Sequence, residues 1–342
     1  PQLSPDGTKL AYVVRETDFE ANRGRTDVWL LDLRTPDAPP VRVTRHEASD
    51  SSPRWAPAGD ALYFLSTRGG SSQVWRIVLA GGEAMPVTSF PVAVDTFEVS
   101  PRGDRLVFSA TVFRDCGDFD CTKQRLETRA KSKETGLVYD ELFVRHWDTW
   151  RDGTRSVLHS VALDASGRAS GRPVSLSGSL DGDVPSKPMG GDEEYAISPD
   201  GARVAFAARV AGREEAWSTN LDVYEVPIDG PGDGGTPRNL TAQNRATDTQ
   251  PAYSPDGRWL AWLAMARPGF EADRYAILVR DLKTGESFEL APAWDRSPHA
   301  LEWSADSRSV LVTADEIGNQ PLFKGGPIDR RAVRQVVRLT GG

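Results

Sequence analysis

Apolar and polar residues alternate along this chain in short runs, and turn sequences separate the runs. The clearest turn is Ser4-Pro5-Asp6-Gly7, and the same four residue types recur at 198–201 and 254–257. Proline presets the backbone angle that a turn needs, whereas Asp and Gly accept the left-handed conformations of tight hairpins. Weaker copies of the turn begin at Ala56, Ser100 and Ser304. The pattern therefore predicts β-structure built from repeated hairpins.

The residues around each turn keep the same spacing in six copies. One apolar residue comes directly before the turn, and this set is Leu3, Trp55, Val99, Ile197, Tyr253 and Trp303. A second apolar residue lies six positions after the start of the turn, and this set is Leu10, Leu62, Leu106, Val204, Leu260 and Val310. Strand-rich repeats of this length are typical of β-propellers.

The spacing of the turns predicts seven repeats. Turns begin at 4, 56, 100, 198, 254 and 304, so the interval of 98 residues after the third turn is about twice the others. We interpret it as two repeats, the second starting at a degenerate turn, 150–153, and continuing into a strand at 156–163. Each repeat contains four strand-like runs. The expected fold class is therefore all-β, a propeller of about seven four-stranded blades, with residues 1–342 forming a single domain.

The third repeat is interrupted by residues 114–138, which lack the alternation of a strand. The charged run 123–133 predicts a short helical insertion in the third blade. The two cysteines, Cys116 and Cys121, precede it, and we expect a local disulfide, with two free thiols as the alternative. Nearby carboxylates could hold a calcium ion, although a solvated acidic loop is the expected arrangement; they are Asp115, Asp118 and Asp120.

Composition and missing motifs exclude several classes of function. The chain has 41 Lys and Arg against 49 Asp and Glu, a formal net charge of −8, and no basic run, so no nucleic-acid partner is expected. No apolar run approaches the ~20 residues of a membrane helix. The Gly-x-Ser-x-Gly elbow of α/β-hydrolases and the glycine-rich phosphate loops are absent from the sequence. We therefore predict no catalytic residue, no metal and no cofactor in this chain.

Three segments outside the regular repeat give the chain a family resemblance. They are Val138-Tyr-Asp-Glu-Leu-Phe-Val-Arg-His-Trp-Asp-Thr-Trp150, Asp181-Gly-Asp-Val-Pro-Ser-Lys-Pro188 and Glu215-Ala-Trp-Ser-Thr-Asn220. The repeated turns resemble propellers of the prolyl oligopeptidase family of serine peptidases, and also TolB-like propellers. The three segments look like the acylaminoacyl-peptidase and bacterial dipeptidyl-peptidase branch of that family.

The resemblance implies a C-terminal α/β-hydrolase domain with a Ser-Asp-His triad, which this chain lacks. We therefore expect a chain cut at both ends from a longer protein. Its partners would be that hydrolase domain and a short peptide substrate. The paired cysteines would fit a periplasmic or secreted enzyme, with the cytoplasm as the alternative location. The expected function is a non-catalytic propeller that gates and helps to anchor short peptides. The alternative is a TolB-like protein-binding scaffold with no attached enzyme.

The resemblance also suggests where a substrate is held. A peptidase that cuts near a free amino terminus must bind an ammonium group, and a carboxylate is its natural partner. In dipeptidyl-peptidase relatives a Tyr followed by paired acids has this role, and residues 139–141 look similar, with Asp in place of one Glu. The predicted substrate-binding residues are Tyr139, Asp140, Glu141 and Arg145. In the alternative interpretation, the two acids lie on a solvated turn or pair with the arginine.

Overall fold

The structure, a computed structural model, describes residues 1–35, 37–140, 142–232, 235–326 and 333–337. The chain divides into two compact units, the first comprising residues 1–135 and 157–175, and the second comprising 136–156 and 176–342. Within these described ranges, no helix has the length and apolar character that a membrane crossing requires.

Three four-stranded antiparallel sheets are formed by the first half of the chain. The first sheet contains β1 (Gln2–Leu3), β2 (Lys9–Asp18), β3 (Arg23–Asp32) and β4 (Val41–Arg42), and the second contains β5 (Asp50–Trp55), β6 (Ala61–Ser66), β7 (Gln73–Val78) and β8 (Met85–Pro86). The third begins with β9 (Thr96–Val99) and β10 (Arg105–Val112). The chain then forms α1 (Phe119–Lys131) and a hairpin of β11 (Arg145–His146) and β12 (Thr149–Trp150). It returns to the third sheet as β13 (Arg155–Leu163) and β14 (Ala169–Ser175).

The second unit contributes three more sheets of the same strand order. The fourth sheet contains β15 (Tyr195–Ile197), β16 (Arg203–Ala208), β17 (Asp222–Pro227) and β18 (Arg238–Asn239). The fifth contains β19 (Asp248–Tyr253), β20 (Trp259–Ala264), β21 (Ala276–Asp281) and β22 (Ser287–Leu290). The sixth contains β23 (Pro298–Trp303), β24 (Val310–Ala314), β25 (Leu322–Gly325) and β26 (Val333–Val337). Two 3₁₀ turns, Asp192–Glu194 and Gly212–Glu214, lie outside the sheets.

The strand register confirms the repeat alignment. In each sheet, the residue before the turn pairs across the hairpin with the residue six positions after the start of the turn. The six pairs are Leu3–Leu10, Trp55–Leu62, Val99–Leu106, Ile197–Val204, Tyr253–Leu260 and Trp303–Val310. Five of the second residues are buried and Leu10 is half-buried. The sequence repeat is thus a repeat of hairpin geometry and of core position.

The turn serine explains why Ser-Pro-Asp-Gly recurs. The Ser254 hydroxyl donates to Asp256 Oδ1 at 2.6 Å and accepts the backbone N–H of Trp259 at 2.9 Å. Gly257 has φ +69°, in the left-handed region that favours glycine. The same serine hydrogen bonds are found at Ser4, Ser198 and Ser304. One hydroxyl therefore closes the hairpin from inside by satisfying a backbone donor at the start of the next strand.

Six four-stranded sheets are present in the described residues, so the predicted number of seven is wrong. The segment interpreted as a fourth repeat opens no sheet of its own. Trp150 ends the β11–β12 hairpin, and the run predicted as a new strand at 156–163 is part of β13, which lies beside β10. The long interval is therefore one repeat with an insertion between its second and third strands. A missing turn and an insertion lengthen an interval equally, so spacing alone cannot distinguish them.

Several neighbouring side chains hold α1 in place. The Asp118 carboxylate caps the helix by accepting the N–H of Cys121 at 2.9 Å. Phe119 packs edge-on against His159 with ring centroids 5.0 Å apart, and burial lowers the pKa of His159 to about 4, so this ring is neutral at pH 7. The sulfur atoms of Cys116 and Cys121 are 2.01 Å apart, which is a disulfide across the start of the helix.

Two of the acids near the disulfide, Asp115 and Asp118, make local hydrogen bonds. Asp115 accepts two hydrogen bonds from Arg125, at 2.8 and 2.9 Å, and these bonds lower the pKa of Asp115. Asp118 is the helix cap. In the part of the chain that the structure describes, no group of three or more His, Cys, Asp or Glu side chains could hold a metal ion.

Candidate functional site

The three segments that carry the family resemblance meet around a pair of adjoining clefts in the second unit. The smaller cleft, of about 70 Å³, is lined from residues 143–155, from the 181–188 segment and from the start of the 215–220 segment. The larger cleft has a volume of about 280 Å³. Four side chains line both clefts, and they are His146, Lys187, Pro188 and Arg209. Segments that are distant in the sequence therefore contribute to one site.

A buried arginine ties these segments together. Arg155, whose side chain is 7% exposed, donates two bonds to the Glu215 carboxylate, at 2.7 and 2.8 Å. It also donates to Asp183 at 2.9 Å and to Asp181 at 3.2 Å. Arg151 donates to the same Glu215 at 3.0 Å. The arrangement connects the start of β13, the 181–188 loop and the segment after the second 3₁₀ turn through charge-assisted bonds.

Electrostatic interactions keep Arg155 and Glu215, the central pair of this network, in their charged forms. Burial by itself would raise the pKa of Glu215, but hydrogen bonds and charge from Arg155, with those of Arg151, outweigh it and hold that pKa below its usual value. Burial would likewise lower the pKa of Arg155, and its bonds to Glu215 and Asp183 raise it instead. Because Arg155 and Glu215 hold each other in their charged forms, this pair is suited to positioning the walls of the clefts rather than to exchanging a proton near pH 7.

The larger cleft contains a carboxylate of a different character. Glu194 is buried and accepts the N–H and the hydroxyl of Ser186, at 2.6 and 2.7 Å. Burial raises the pKa of Glu194. Apolar side chains cover much of the remaining wall, and they are Trp147, Pro188, Met189, Leu221, Met265 and Tyr275. The cleft thus combines apolar walls with a few polar groups, which is typical of a site for a small ligand.

Three of the four predicted substrate-binding residues are described by the structure, and these three lie outside the lining of the clefts. The Tyr139 hydroxyl donates to the Arg151 carbonyl at 2.9 Å, and its ring lies 6.4 Å from that of Trp150. The Arg145 guanidinium lies 5.5 Å from the centre of the Trp150 ring. Asp140 is exposed, and Glu141 lies outside the described residues. None of Tyr139, Asp140 and Arg145 lines either cleft, although Trp150, between two of them, lines the smaller one.

Sequence reasoning missed the charged residues that build the clefts. Arg151 falls in the stretch 150–153 interpreted as a degenerate turn, and Arg155 lies between that turn and the strand predicted at 156–163. Asp183 and Glu215 belong to the resembling segments, but the sequence assigns them no function, because spacing does not show that both converge on one arginine. Nothing in the sequence marks Arg209, which directly follows β16.

Relatives match nearly the whole chain. A family model described as TolB beta propeller domain (PD40) matches residues 1–142. Dipeptidyl-peptidase 5 of Porphyromonas gingivalis is 27% identical over 322 residues, covering 91% of this chain and 44% of that protein. Dipeptidyl-peptidase 5 of Arthroderma otae is 29% identical over 343 residues, covering 93% of this chain and 45% of that protein. The chain therefore spans less than half the length of these relatives.

Solved structures share the fold. Acylaminoacyl peptidase in complex with Z-Gly-Gly-Phe-chloromethyl ketone aligns with a TM-score of 0.66 and 15% identity, over 96% of this chain and 44% of the other. TolB from Acinetobacter baumannii aligns with a TM-score of 0.51 and 17% identity, over 96% of this chain and 63% of the other. The β-propeller domain of the Trilobed protease from Pyrococcus furiosus aligns with a TM-score of 0.56 and 13% identity, over 97% of this chain and 80% of the other. These likenesses show a β-propeller fold. With the sequence relatives, they confirm the predicted resemblance to dipeptidyl-peptidase and acylaminoacyl-peptidase propellers.

Proposed function

We propose that this propeller gates and helps to anchor short peptides for an α/β-hydrolase domain of the same protein. The observation that carries the proposal is the similarity to proteins named dipeptidyl-peptidase 5 over more than nine-tenths of the chain. Those proteins are more than twice as long as the matched region, which leaves length for a catalytic domain. The convergence of the three resembling segments on one pair of clefts supports the same function, since it gives them a common site.

The β11–β12 hairpin has features that suit peptide binding. Trp147 and Trp150 are 64% and 56% exposed, although large aromatic side chains are usually buried. Trp147 also has φ +49°, a left-handed conformation that is uncommon for a bulky residue and is often found at functional sites. We propose that this surface, together with Tyr139, Asp140, Glu141 and Arg145, receives the amino-terminal end of the peptide.

A TolB-like binding scaffold is the second candidate, favoured by the family model that matches residues 1–142. The likeness to TolB rests on 17% identity and concerns the fold alone. The coding sequence downstream of Gly342 separates the two candidates. A Gly-x-Ser-x-Gly motif followed by Asp and His supports the peptidase, and a stop codon soon after Gly342 supports the scaffold.

Replacing the proposed anchor Glu141 with Gln in the intact peptidase should lower kcat/KM at least tenfold for substrates with a free amino terminus. The reason is that loss of one partner of a desolvated ion pair typically costs about 2–5 kcal/mol. Acetylated substrates, which carry no ammonium group, should change far less. Glu134→Gln, a change of an exposed carboxylate in the same insertion, is the matched control. Equal losses on both substrate types, or no loss on either, would remove Glu141 from the site.

We also propose that the protein works in the periplasm or outside the cell, because disulfides persist in oxidising compartments. The Cys116–Cys121 pair closes a very short loop, so its effect is on local shape more than on chain entropy. Free-thiol titration of the protein from its native source, under denaturing and non-reducing conditions, should find no reactive sulfhydryl. Two titratable thiols per chain would contradict the proposed location.

A further inference from the structure

Four basic side chains border the two clefts, and they are Arg151, Arg155, Lys187 and Arg209. The first two share Glu215, and the ammonium of the third lies 3.7 Å from Asp183 Oδ1. Arg209 is different. Among the described residues, its guanidinium has no carboxylate within 4.0 Å, and its buried Nε has no hydrogen-bond partner. The fold therefore holds one arginine at the junction of both clefts without a counter-ion from the residues described.

An arginine without a carboxylate partner can bind an anionic ligand. A buried N–H without an acceptor costs about 1–3 kcal/mol, so its retention needs a reason. A guanidinium binds a carboxylate through two parallel N–H···O bonds, a geometry that a single lysine ammonium cannot offer. His146 lines both clefts too, and its buried Nδ1 likewise has no partner within the described part of the chain. Both groups can be satisfied by an oxygen-bearing ligand.

The charges that face Arg209 leave room for such a ligand. Glu194 lines the larger cleft with Arg209 but makes no ion pair with it, and both of its oxygens accept hydrogen bonds from Ser186. Glu271 also lines the larger cleft, but it is exposed to solvent. Leu221 and Met265 line the larger cleft and are buried, and such apolar walls exclude part of the water around an ion pair, which strengthens it.

We propose that Arg209, with His146, binds a carboxylate of a short peptide in the larger cleft. That the ligand is a peptide rests on the proposed function. The inference goes further by assigning a site for the acidic group of that peptide, in a cleft that neither Tyr139 nor Asp140 lines. The carboxylate could come from the peptide's carboxyl terminus or from an acidic side chain, and both sources have the same chemistry.

Calorimetric titration of the 342-residue chain with three tripeptides tests this site. The first is Gly-Gly-Phe with a free carboxylate, the second is its carboxamide, and the third is the carboxamide with Asp at the central position. Each is prepared with a free and with an acetylated amino terminus. The variants are Arg209→Gln, Arg209→Lys and, as the matched control, Arg213→Gln, which alters an exposed arginine that lines neither cleft.

At least one carboxylate peptide should bind the wild-type chain at least tenfold more tightly than the plain carboxamide, and which one does so identifies the source. Arg209→Gln should abolish that difference while changing carboxamide binding less than twofold. Arg209→Lys should restore only part of the preference, and Arg213→Gln should keep all of it. Equal binding of carboxylate and carboxamide peptides, or equal losses on both, would overturn the assignment.

Two further readouts distinguish a binding role of Arg209 from a structural role and from the amino-terminal anchor. Arg209→Gln should leave the melting temperature within about 1 °C of wild type, because no described ion pair is lost, whereas a fall of several degrees would indicate a structural role. Acetylation tests the amino-terminal anchor instead. If acetylation of the peptide does not change its affinity while the preference for a carboxylate persists, the proposed amino-terminal anchor is wrong and the Arg209 site is supported. If no peptide binds, both fail.

Discussion

Replacing Arg155 with Met should lower the free energy of unfolding by about 3–5 kcal/mol, since removing one partner of a buried ion pair leaves an uncompensated charge. The carboxylates of Asp183 and Glu215, each 11% exposed, would lose their main partner. Urea unfolding at pH 7 measures the change. Limited proteolysis of the folded variant should show that the 181–188 loop is cleaved more readily than in wild type, because Arg155 ties this loop to the start of β13.

The control for this variant is Arg125→Met. Arg125 makes a geometrically similar pair with Asp115 at 2.8 Å, but the two side chains are 38% and 70% exposed. An exposed pair contributes about 0–1 kcal/mol, so this variant should be close to wild type. A loss below about 1 kcal/mol for Arg155→Met, equal to the control, would show that the cluster does not hold the cleft together.

Replacing Asp248 with Asn should stabilise the protein by about 3 kcal/mol at pH 8 and have little effect near pH 4. Asp248 is 1% exposed, and it accepts Trp262 Nε1 at 2.8 Å while its Oδ2 has no partner among the described residues. Burial raises its pKa from 3.8 to about 6. When the pKa of a group differs by one between the folded and the unfolded protein, the free energy of unfolding changes by about 1.4 kcal/mol.

The sign follows from proton binding. Between pH 4 and 6 the folded protein holds a proton on Asp248 that the unfolded chain has released, so stability falls as pH rises through this range. The asparagine carries no charge and removes that fall. Urea unfolding of the wild type and the variant at pH 4, 6 and 8 measures the difference in their free energies of unfolding. If the difference in unfolding free energy between wild type and variant does not change with pH, the titration does not belong to Asp248.

The repeat supplies a matched control for this variant. Asp50 begins β5 as Asp248 begins β19, but Asp50 accepts Arg68 at 2.6 Å, and this arginine is 10% exposed. Asp50→Asn should therefore destabilise the protein at pH 8, opposite in sign to Asp248→Asn, because it leaves Arg68 without its carboxylate. The same substitution at equivalent places in two sheets tests whether the counter-ion decides the outcome.

The hairpin repeat was predictable because its cause is local. Ser254, Asp256 and Gly257 lie within four positions and make the turn by themselves, so the sequence shows both the turn and its register. The number of sheets was not predictable in this way. Whether residues 155–163 start a sheet or return to one depends on pairing with β10, which lies across a long insertion.

The candidate site was predictable only as a set of unusual segments. Arg155 and Glu215 are 60 positions apart, and no periodicity relates them. The resemblance pointed to Tyr139 and Arg145, which border Trp150, but the roles of the side chains that line the clefts are visible only in the structure. Arg209 could not be anticipated, since its significance lies in the partners that the fold does not supply.

A crystal structure of the chain grown with saturating Gly-Gly-Phe tests the central claim, peptide binding at the paired clefts, most directly. The peptide should occupy the larger cleft, with its carboxylate about 2.7–3.2 Å from the Arg209 guanidinium and its amino terminus directed toward residues 139–145. A peptide bound at another place on the chain, or clefts that hold solvent alone at saturating peptide, would contradict it.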